Sequence, residues 1–142
     1  MKRTSLILAS ASPRRVELLR QIVADFEVVP ADAPEVHDDQ LTAWEMAQVN
    51  AYRKARAVAK KFPDAVVLGA DTLVYLDREA KLFGKPASLA EAARMLNDLQ
   101  GQTHAVITGV CLVQLREHRQ RVFVEWTDVR FHALTPAQIH DY

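Results

Sequence analysis

The chain lacks several features by which whole classes of protein are recognised. It has a single cysteine, Cys111, in 142 residues, so a disulfide framework is excluded and a reducing, cytoplasmic setting is favoured. Cys111 lies inside an apolar run and is predicted to be a small core residue. No apolar run approaches the ~20 residues that a membrane span needs, and no signal peptide precedes the first apolar run, so we expect no membrane partner.

The chain also has no excess of positive or of negative charge. Lys and Arg together number 18, as do Asp and Glu, so the formal net charge is zero. A protein that binds nucleic acid through bulk electrostatics is therefore disfavoured, and no nucleic-acid partner is expected. The chain also has no Walker A motif, no G-x-G-x-x-G, no zinc-binding H-E-x-x-H and no nucleophile elbow.

The remaining pattern is that of a globular α/β protein. Apolar residues make up 49% of the chain and charged residues 25%, and the length suits one domain over residues 1–142. Strands are predicted at 6–9, 26–29, 65–70, 73–76, 81–83, 103–115 and 121–132. Helices are predicted from Pro13, over 41–61, over 88–99 and from Pro136. The first helix is expected to bury one apolar face, formed by Val16, Leu18, Leu19, Ile22 and Val23. The predicted fold is a mixed twisted sheet flanked by helices.

The start of the first helix carries the most informative motif. After a strand and a turn that contains Ser10, Ser12 can cap the helix and Pro13 suits its first position. Arg14 and Arg15 then lie in the first turn, where exposed N–H groups already carry partial positive charge. A bound polyphosphate would explain two cations at that point. A capped helix with two solvated arginines is the alternative.

Four further charged residues are candidates for chemistry. Asp71 directly follows the predicted buried strand at 65–70, and ligands bind at the carboxyl ends of strands in open α/β sheets. Its carboxylate could hold a metal or activate water, or it could cap a turn. Glu35 belongs to an acidic segment that could supply metal-binding oxygens or be a solvated loop. Lys85 could neutralise a phosphate or be a solvated turn lysine, and Lys54 alone reads as part of a solvated helix face.

Taken in chain order, the motifs resemble those of the Maf family. The resemblance runs from about residue 6 to residue 142 and is carried by SASPRR at 10–15, Glu35, KA at 54–55, GADT at 69–72, GKP at 84–86, LQGQTH at 99–104 and TGV at 108–110. Maf proteins are nucleoside triphosphate pyrophosphatases, first named for an association with septum formation. The resemblance implies a fold like that of the inosine triphosphate pyrophosphatases, with a cleft between two lobes.

The resemblance also implies roles for individual residues. Asp71 would be the catalytic carboxylate and, together with Glu35, would hold Mg²⁺ or Mn²⁺. Thr72 would influence substrate selectivity, because it resembles the subgroup that favours dTTP and UTP over 7-methyl-GTP. The residues that would bind the phosphates are Ser10, Arg14, Arg15, Lys54 and Lys85.

The expected activity is Mg²⁺-dependent hydrolysis of dTTP, UTP or modified nucleoside triphosphates to the monophosphate and pyrophosphate, a house-cleaning role. The alternative is a nucleotide-binding regulatory module without turnover, linked to septum formation and cell division. Family members continue for several dozen residues beyond Tyr142, so the second lobe is expected to be incomplete. An unfinished sheet exposes an edge and favours association, which leaves a homodimer open.

Overall fold

The computed structural model describes residues 5–76, 81–83, 88–133 and 135–141. In these residues the strands are β1 (Leu6–Leu8), β2 (Glu27–Val28), β3 (Val66–Leu76), β4 (Lys81–Phe83), β5 (Thr103–Gln114) and β6 (Arg119–Arg130). The helices are α1 (Pro13–Arg20), α2 (Ala43–Ala59), α3 (Leu89–Leu99) and α4 (Pro136–Asp141). No helix in the described part of the chain is long and apolar enough to cross a membrane. The predicted mixed α/β class is confirmed.

The strands form one mixed sheet in the order β2-β1-β3-β5-β6, with β4 paired to β3. β1 is parallel to both of its neighbours, and it pairs with β3 from Leu6 opposite Val66 to Leu8 opposite Leu68. β4 is antiparallel to β3 and begins its pairing at Val74. Parallel strands next to one another require a crossover, which α1 supplies between β1 and β2.

The predicted strand end at residue 70 is wrong, because β3 continues without a break to Leu76. Asp71 therefore lies within a strand, after the parallel pairing with β1 ends at Leu68 and before the antiparallel pairing with β4 begins at Val74. The predicted segments 65–70 and 73–76 are both apolar, and only Asp71 and Thr72 separate them. The strand can continue through Asp71 because Lys54 on α2 donates a hydrogen bond to its carboxylate.

The chain divides into two compact units, Met1–Asp71 with Thr108–Val124 and Thr72–Ile107 with Glu125–Tyr142. That residues 1–142 behave as one domain stays a prediction. The first unit has a core made mainly of small side chains. Its buried members are Ile7, Ala9, Ala51, Ala55, Val58, Ala59, Ala65, Val67, Cys111 and Val113. Cys111 is thus the core residue that was predicted, and burial raises the pKa of its thiol to about 11.

Within the first unit, α2 lies unusually close to the sheet. A Cβ atom added at Gly69 would come within 2.5 Å of the carbonyl oxygen of Ala51 and 2.8 Å of the amide nitrogen of Ala55. A Cβ at Gly109 would overlap the backbone of Ala47 in the same way. The two glycines therefore allow the α2 backbone to rest directly on β3 and β5.

Side-chain caps begin α2 and α3 where the sequence predicts them. Thr42 and Glu45 form a complete capping box at α2: the Thr42 hydroxyl accepts from the Glu45 amide at 3.1 Å, and the Glu45 carboxylate accepts from the Thr42 amide at 3.0 Å. Ser88 caps α3 by accepting from the Glu91 amide at 3.1 Å. Gly101 follows α3 with φ of 67°, a left-handed conformation that glycine adopts without strain.

The second unit has a separate core of larger side chains. Leu76, Phe83 and Leu99 are buried there, and the half-buried Val74, Met95 and Phe131 pack against them. His104 is also buried in this unit, edge-on to Phe131 with 4.9 Å between ring centroids.

The predicted buried face of the first helix is wrong. No residue of α1 is buried, Leu18 is 50% exposed and Ile22 is 83% exposed. The helix ends at Arg20, so Ile22 lies beyond it and the helical periodicity no longer directs its side chain toward the sheet. Val16 and Leu19 are half-buried and supply the helix's contact with its surroundings.

Candidate active site

The N-terminus of α1 has the capped geometry that the motif predicts. Ser12 is the N-cap, and its hydroxyl accepts a hydrogen bond from the Arg15 amide at 3.4 Å. Ser10 is buried, and its hydroxyl accepts from the Ser12 amide at 3.1 Å, which stabilises the turn. The first turn contains Arg14 and Arg15 and no acidic residue. Two cations therefore stand at the positive end of a helix without a carboxylate in that turn to balance them.

Asp71 is a buried carboxylate on the face of β3 that α2 covers. Because side chains alternate along a strand, Asp71 shares a face with Gly69 and Val67. Only 3% of the residue is exposed. Its Oδ1 accepts a hydrogen bond from Lys54 Nζ at 2.9 Å, whereas its Oδ2 has no hydrogen-bond partner among the described residues. A buried polar atom left in this way is costly unless a ligand or a proton satisfies it.

Lys54 lies between two carboxylates rather than on a solvated helix face. Its Nζ contacts Asp71 Oδ1 at 2.9 Å and Glu35 Oε1 at 3.4 Å. The lysine side chain is 18% exposed, the Asp71 side chain 4% and the Glu35 side chain 61%. The close packing of α2 on Gly69 brings the lysine to Asp71, because Lys54 lies between Ala51 and Ala55 on that helix.

Asn50 is a site residue that sequence reasoning missed. It is buried on α2, one helical turn before Lys54. Its Oδ1 accepts from the Val36 amide at 2.6 Å, and its Nδ2 donates to the Val36 carbonyl at 3.2 Å. Both hydrogen bonds fix the backbone next to Glu35. The available signal was a polar residue four positions before Lys54, on the same face of an otherwise alanine-rich helix.

Arg15 completes a cluster of alternating charge. Burial lowers the pKa of the Arg15 guanidinium, and the negative charges of Asp71 and Glu35 oppose that fall. Arginine stays protonated in proteins, so Arg15 remains a cation facing both carboxylates. With Lys54, the cluster holds two cations and two anions and is neutral overall.

The carboxylates of Asp71 and Glu35 need additional ligands to hold a metal ion. Within 5–76, 81–83, 88–133 and 135–141, no group of three or more His, Cys, Asp or Glu side chains could hold a metal ion. Of the acidic residues near Glu35, Asp38 is engaged locally, since its Oδ1 accepts from the Gln40 amide at 2.9 Å. Mg²⁺ commonly binds through one or two carboxylates, with waters and substrate phosphates as its other ligands. Glu35 and the partnerless Oδ2 of Asp71 fit that donor set.

Thr72 and Lys85 are not among the residues that the structure brings together here. Thr72 follows Asp71 in β3, is exposed, and belongs to the second unit. Lys85 falls at 84–87, outside the described residues. The cluster that the structure brings together in the first unit consists of Arg15, Glu35, Lys54 and Asp71.

Comparison with known proteins identifies the family. Residues 5–142 match the family model described as Maf-like protein. The chain belongs to the Maf family. A Maf relative named dTTP/UTP pyrophosphatase from Gloeobacter violaceus is 48% identical over 137 residues, which cover 96% of this chain and 70% of the relative. Another protein of that name, from Symbiobacterium thermophilum, is 49% identical over 139 residues, with 96% and 69% covered.

Solved structures with much lower sequence identity, 18% and 19%, share the fold of this Maf chain. The Staphylococcus aureus Ham1 protein aligns with a TM-score of 0.62 and 18% identity, covering 88% of this chain and 70% of its own. A nucleoside-triphosphatase / dITP/XTP pyrophosphatase from Mycobacterium abscessus aligns with a TM-score of 0.58 and 19% identity, covering 88% and 73%. The predicted likeness in fold is confirmed.

Proposed function

We propose that this protein is a nucleoside triphosphate pyrophosphatase that converts dTTP and UTP to the monophosphate and pyrophosphate. The observation that carries the proposal is the buried Asp71 carboxylate, which stands beside Lys54 and Arg15 and has an oxygen without a partner in the described part of the chain. The names of relatives at 48% and 49% identity support the choice of substrate.

The triphosphate would bind at the N-terminus of α1. Its negative charge would complement the first-turn N–H groups and the side chains of Arg14 and Arg15. Ser10 would hold the turn in place and contribute its hydroxyl. Lys54 and Lys85 would neutralise further phosphate charge. Hydrolysis between the α and β phosphates depends mainly on such neutralisation and on positioning of the attacking water.

A divalent metal, Mg²⁺ or Mn²⁺, would be held by Glu35 and Asp71. Such an ion, when bound, neutralises phosphate charge and activates water. Without nucleotide, the chain's own contribution is to hold Asp71 in place through the hydrogen bond from Lys54 to Oδ1. Oδ2, which has no partner among the described residues, would hold the ion or accept the proton of the attacking water when substrate is bound. Burial of the carboxylate keeps bulk water from screening these interactions.

Selectivity and setting complete the proposal. Thr72, next to Asp71 in the chain, would influence which base is accepted. The activity would serve to clear unwanted nucleotides in the cytoplasm. The lone buried cysteine supports a reducing compartment.

The test is pyrophosphate release from dTTP and UTP with Mg²⁺, by the unchanged chain and by Asp71→Asn. We expect the variant to lose about a thousandfold in kcat, because the amide can neither accept a proton nor bind the metal as an anion. Binding of a fluorescent nucleotide should change little. Asp128→Asn, an exposed position on β6, is the matched control and should keep full activity.

Full turnover by Asp71→Asn would contradict the assignment of the catalytic carboxylate. Tight nucleotide binding by the unchanged chain, without pyrophosphate release from either substrate, would instead support the regulatory binding module.

A further inference from the structure

Lys54 occupies the space between the two carboxylates that would hold the metal. We propose that in the nucleotide-free protein Lys54 Nζ stands in for the divalent cation, so that metal binds tightly only together with the nucleotide. This inference rests on the proposed function and adds an order of binding to it: the lysine must leave the carboxylates before an ion can bridge them.

The distances support this exclusion. An ion that bridges Asp71 and Glu35 must lie within about 2.0–2.6 Å of an oxygen from each residue. Lys54 Nζ is already in contact with both, at 2.9 Å and 3.4 Å. The ammonium group therefore fills the space that a bridging ion would enter. It already engages Oδ1 of Asp71 and Oε1 of Glu35, so that Oδ2 is the one oxygen of Asp71 left without a partner among the described residues.

The charges point the same way. Two carboxylates facing Lys54 and Arg15 form a neutral cluster, so a dication that arrives alone meets two cations and no net negative charge. A triphosphate reverses that balance, because its phosphate groups bring several negative charges. It also offers oxygens to which the lysine ammonium can donate once it leaves Asp71.

The fold allows the side chain to move while the helix stays in place. The α2 backbone is pressed against Gly69 at Ala51 and Ala55, on both sides of Lys54. The lysine stem, by contrast, is a flexible four-carbon chain. Release of Nζ from Asp71 and Glu35 therefore requires a change of rotamer and no shift of α2. Metal and nucleotide affinities are then coupled, and the coupling must be equal in both directions.

The test measures Mn²⁺ binding by electron paramagnetic resonance, without turnover. Mn²⁺ is titrated into the protein alone and into the protein saturated with α,β-imido-dUTP, which resists cleavage between the α and β phosphates. Lys54→Met keeps the length of the side chain and removes its charge. We expect this variant, without nucleotide, to bind Mn²⁺ about tenfold more tightly than the unchanged chain. The gain in Mn²⁺ affinity that the nucleotide confers should shrink accordingly.

Two further variants sharpen the test. Lys54→Arg keeps a cation at the position and should retain the weak Mn²⁺ binding of the unchanged chain. Lys60→Met removes an exposed lysine from the end of the same helix and should change neither affinity. Thermal unfolding establishes that each variant is folded, and Lys54→Gln takes the place of Lys54→Met if the methionine variant does not fold.

The inference is overturned if Lys54→Met binds Mn²⁺ alone no more tightly than the unchanged chain does, or if neither protein binds Mn²⁺. These results are distinct from a failure of the proposed function, which would appear as absent pyrophosphate release in the unchanged chain. Tighter Mn²⁺ binding by Lys54→Met would support the role of the lysine even in a protein without turnover.

Discussion

The two units of this protein build their interiors from side chains of different size. They also differ in whether the polar group buried in each interior has a side-chain partner. The first unit is packed mainly with alanine and valine, and the second with leucine and phenylalanine. The first buries Asp71 as a charged group with a lysine partner. The second buries His104, whose Nδ1 has no hydrogen-bond partner in the described ranges and whose pKa is lowered by burial.

The difference in side-chain size explains why the charged cluster lies in the first unit. A helix can bring Lys54 and Asn50 against a strand and a loop only if its backbone comes close to the sheet. Alanines on the helix and Gly69 on the strand allow that approach. Larger side chains, as in the second unit, fill the space and keep backbones apart.

The largest effect is expected from breaking the close approach in the first unit. In Gly69→Ala the new Cβ meets backbone atoms of Ala51 and Ala55, which cannot move independently. We expect the free energy of unfolding to fall by about 3 kcal/mol in urea denaturation. Pyrophosphate release should fall with it, because Lys54 is displaced from Asp71.

Gly101→Ala is the matched change in the second unit. A Cβ there would have no atom within 4 Å, so the cost is the left-handed backbone alone, about 1 kcal/mol. Equal losses of unfolding free energy in Gly69→Ala and Gly101→Ala would show that α2 does not pack tightly on Gly69. The contrast between the two units would then have no basis.

A smaller effect is expected from Asn50→Ala. The Val36 amide and carbonyl lose their side-chain partner, which should cost about 2 kcal/mol of unfolding free energy. Because the segment next to Glu35 is then less well held, the Mn²⁺ affinity measured with bound nucleotide should fall about tenfold. Asn97→Ala is the control in the second unit, since Asn97 is exposed and bonds only to Gln100 among the contacts described. Unchanged Mn²⁺ affinity in Asn50→Ala would show that Glu35 does not depend on this anchor.

The smallest effect concerns His104 and pH. Burial lowers the pKa of this imidazole below its usual 6.5, so the unfolded chain takes up a proton more readily than the folded protein. The contribution of the neutral histidine to stability is therefore present above pH 6.5 and is lost as the pH falls from there toward the lowered folded pKa. Urea denaturation between pH 8 and pH 5 should show this loss, and His104→Gln should reduce it. An identical pH dependence in the variant would show that other groups are responsible.

Physical reasoning from single residues names Arg15, Glu35 and Asp71 as candidates but leaves a structural alternative open for each, and the resemblance of the motifs adds a role for Lys54. Read alone, the local pattern puts Asp71 at a strand end and Lys54 on a solvated helix face, whereas the structure buries Asp71, half-buries Lys54 and pairs the two. Asn50 was not singled out, because its two bonds go to the backbone of Val36, fourteen positions away. The prediction that α1 buries an apolar face is also wrong, because periodicity does not say where a helix ends or what covers it.

Features that depend on neighbours within a few positions follow from the amino-acid sequence alone. Ser12, Thr42 and Ser88 each cap a helix through an amide three residues later, so residue type and spacing were enough to predict these contacts. Which charged side chains pair with one another depends instead on the tertiary structure. Lys54 pairs with Glu35 across nineteen positions and with Asp71 across seventeen, and both pairs exist because α2 can approach β3 at Gly69. That approach depends on packing between distant segments, which local pattern does not specify.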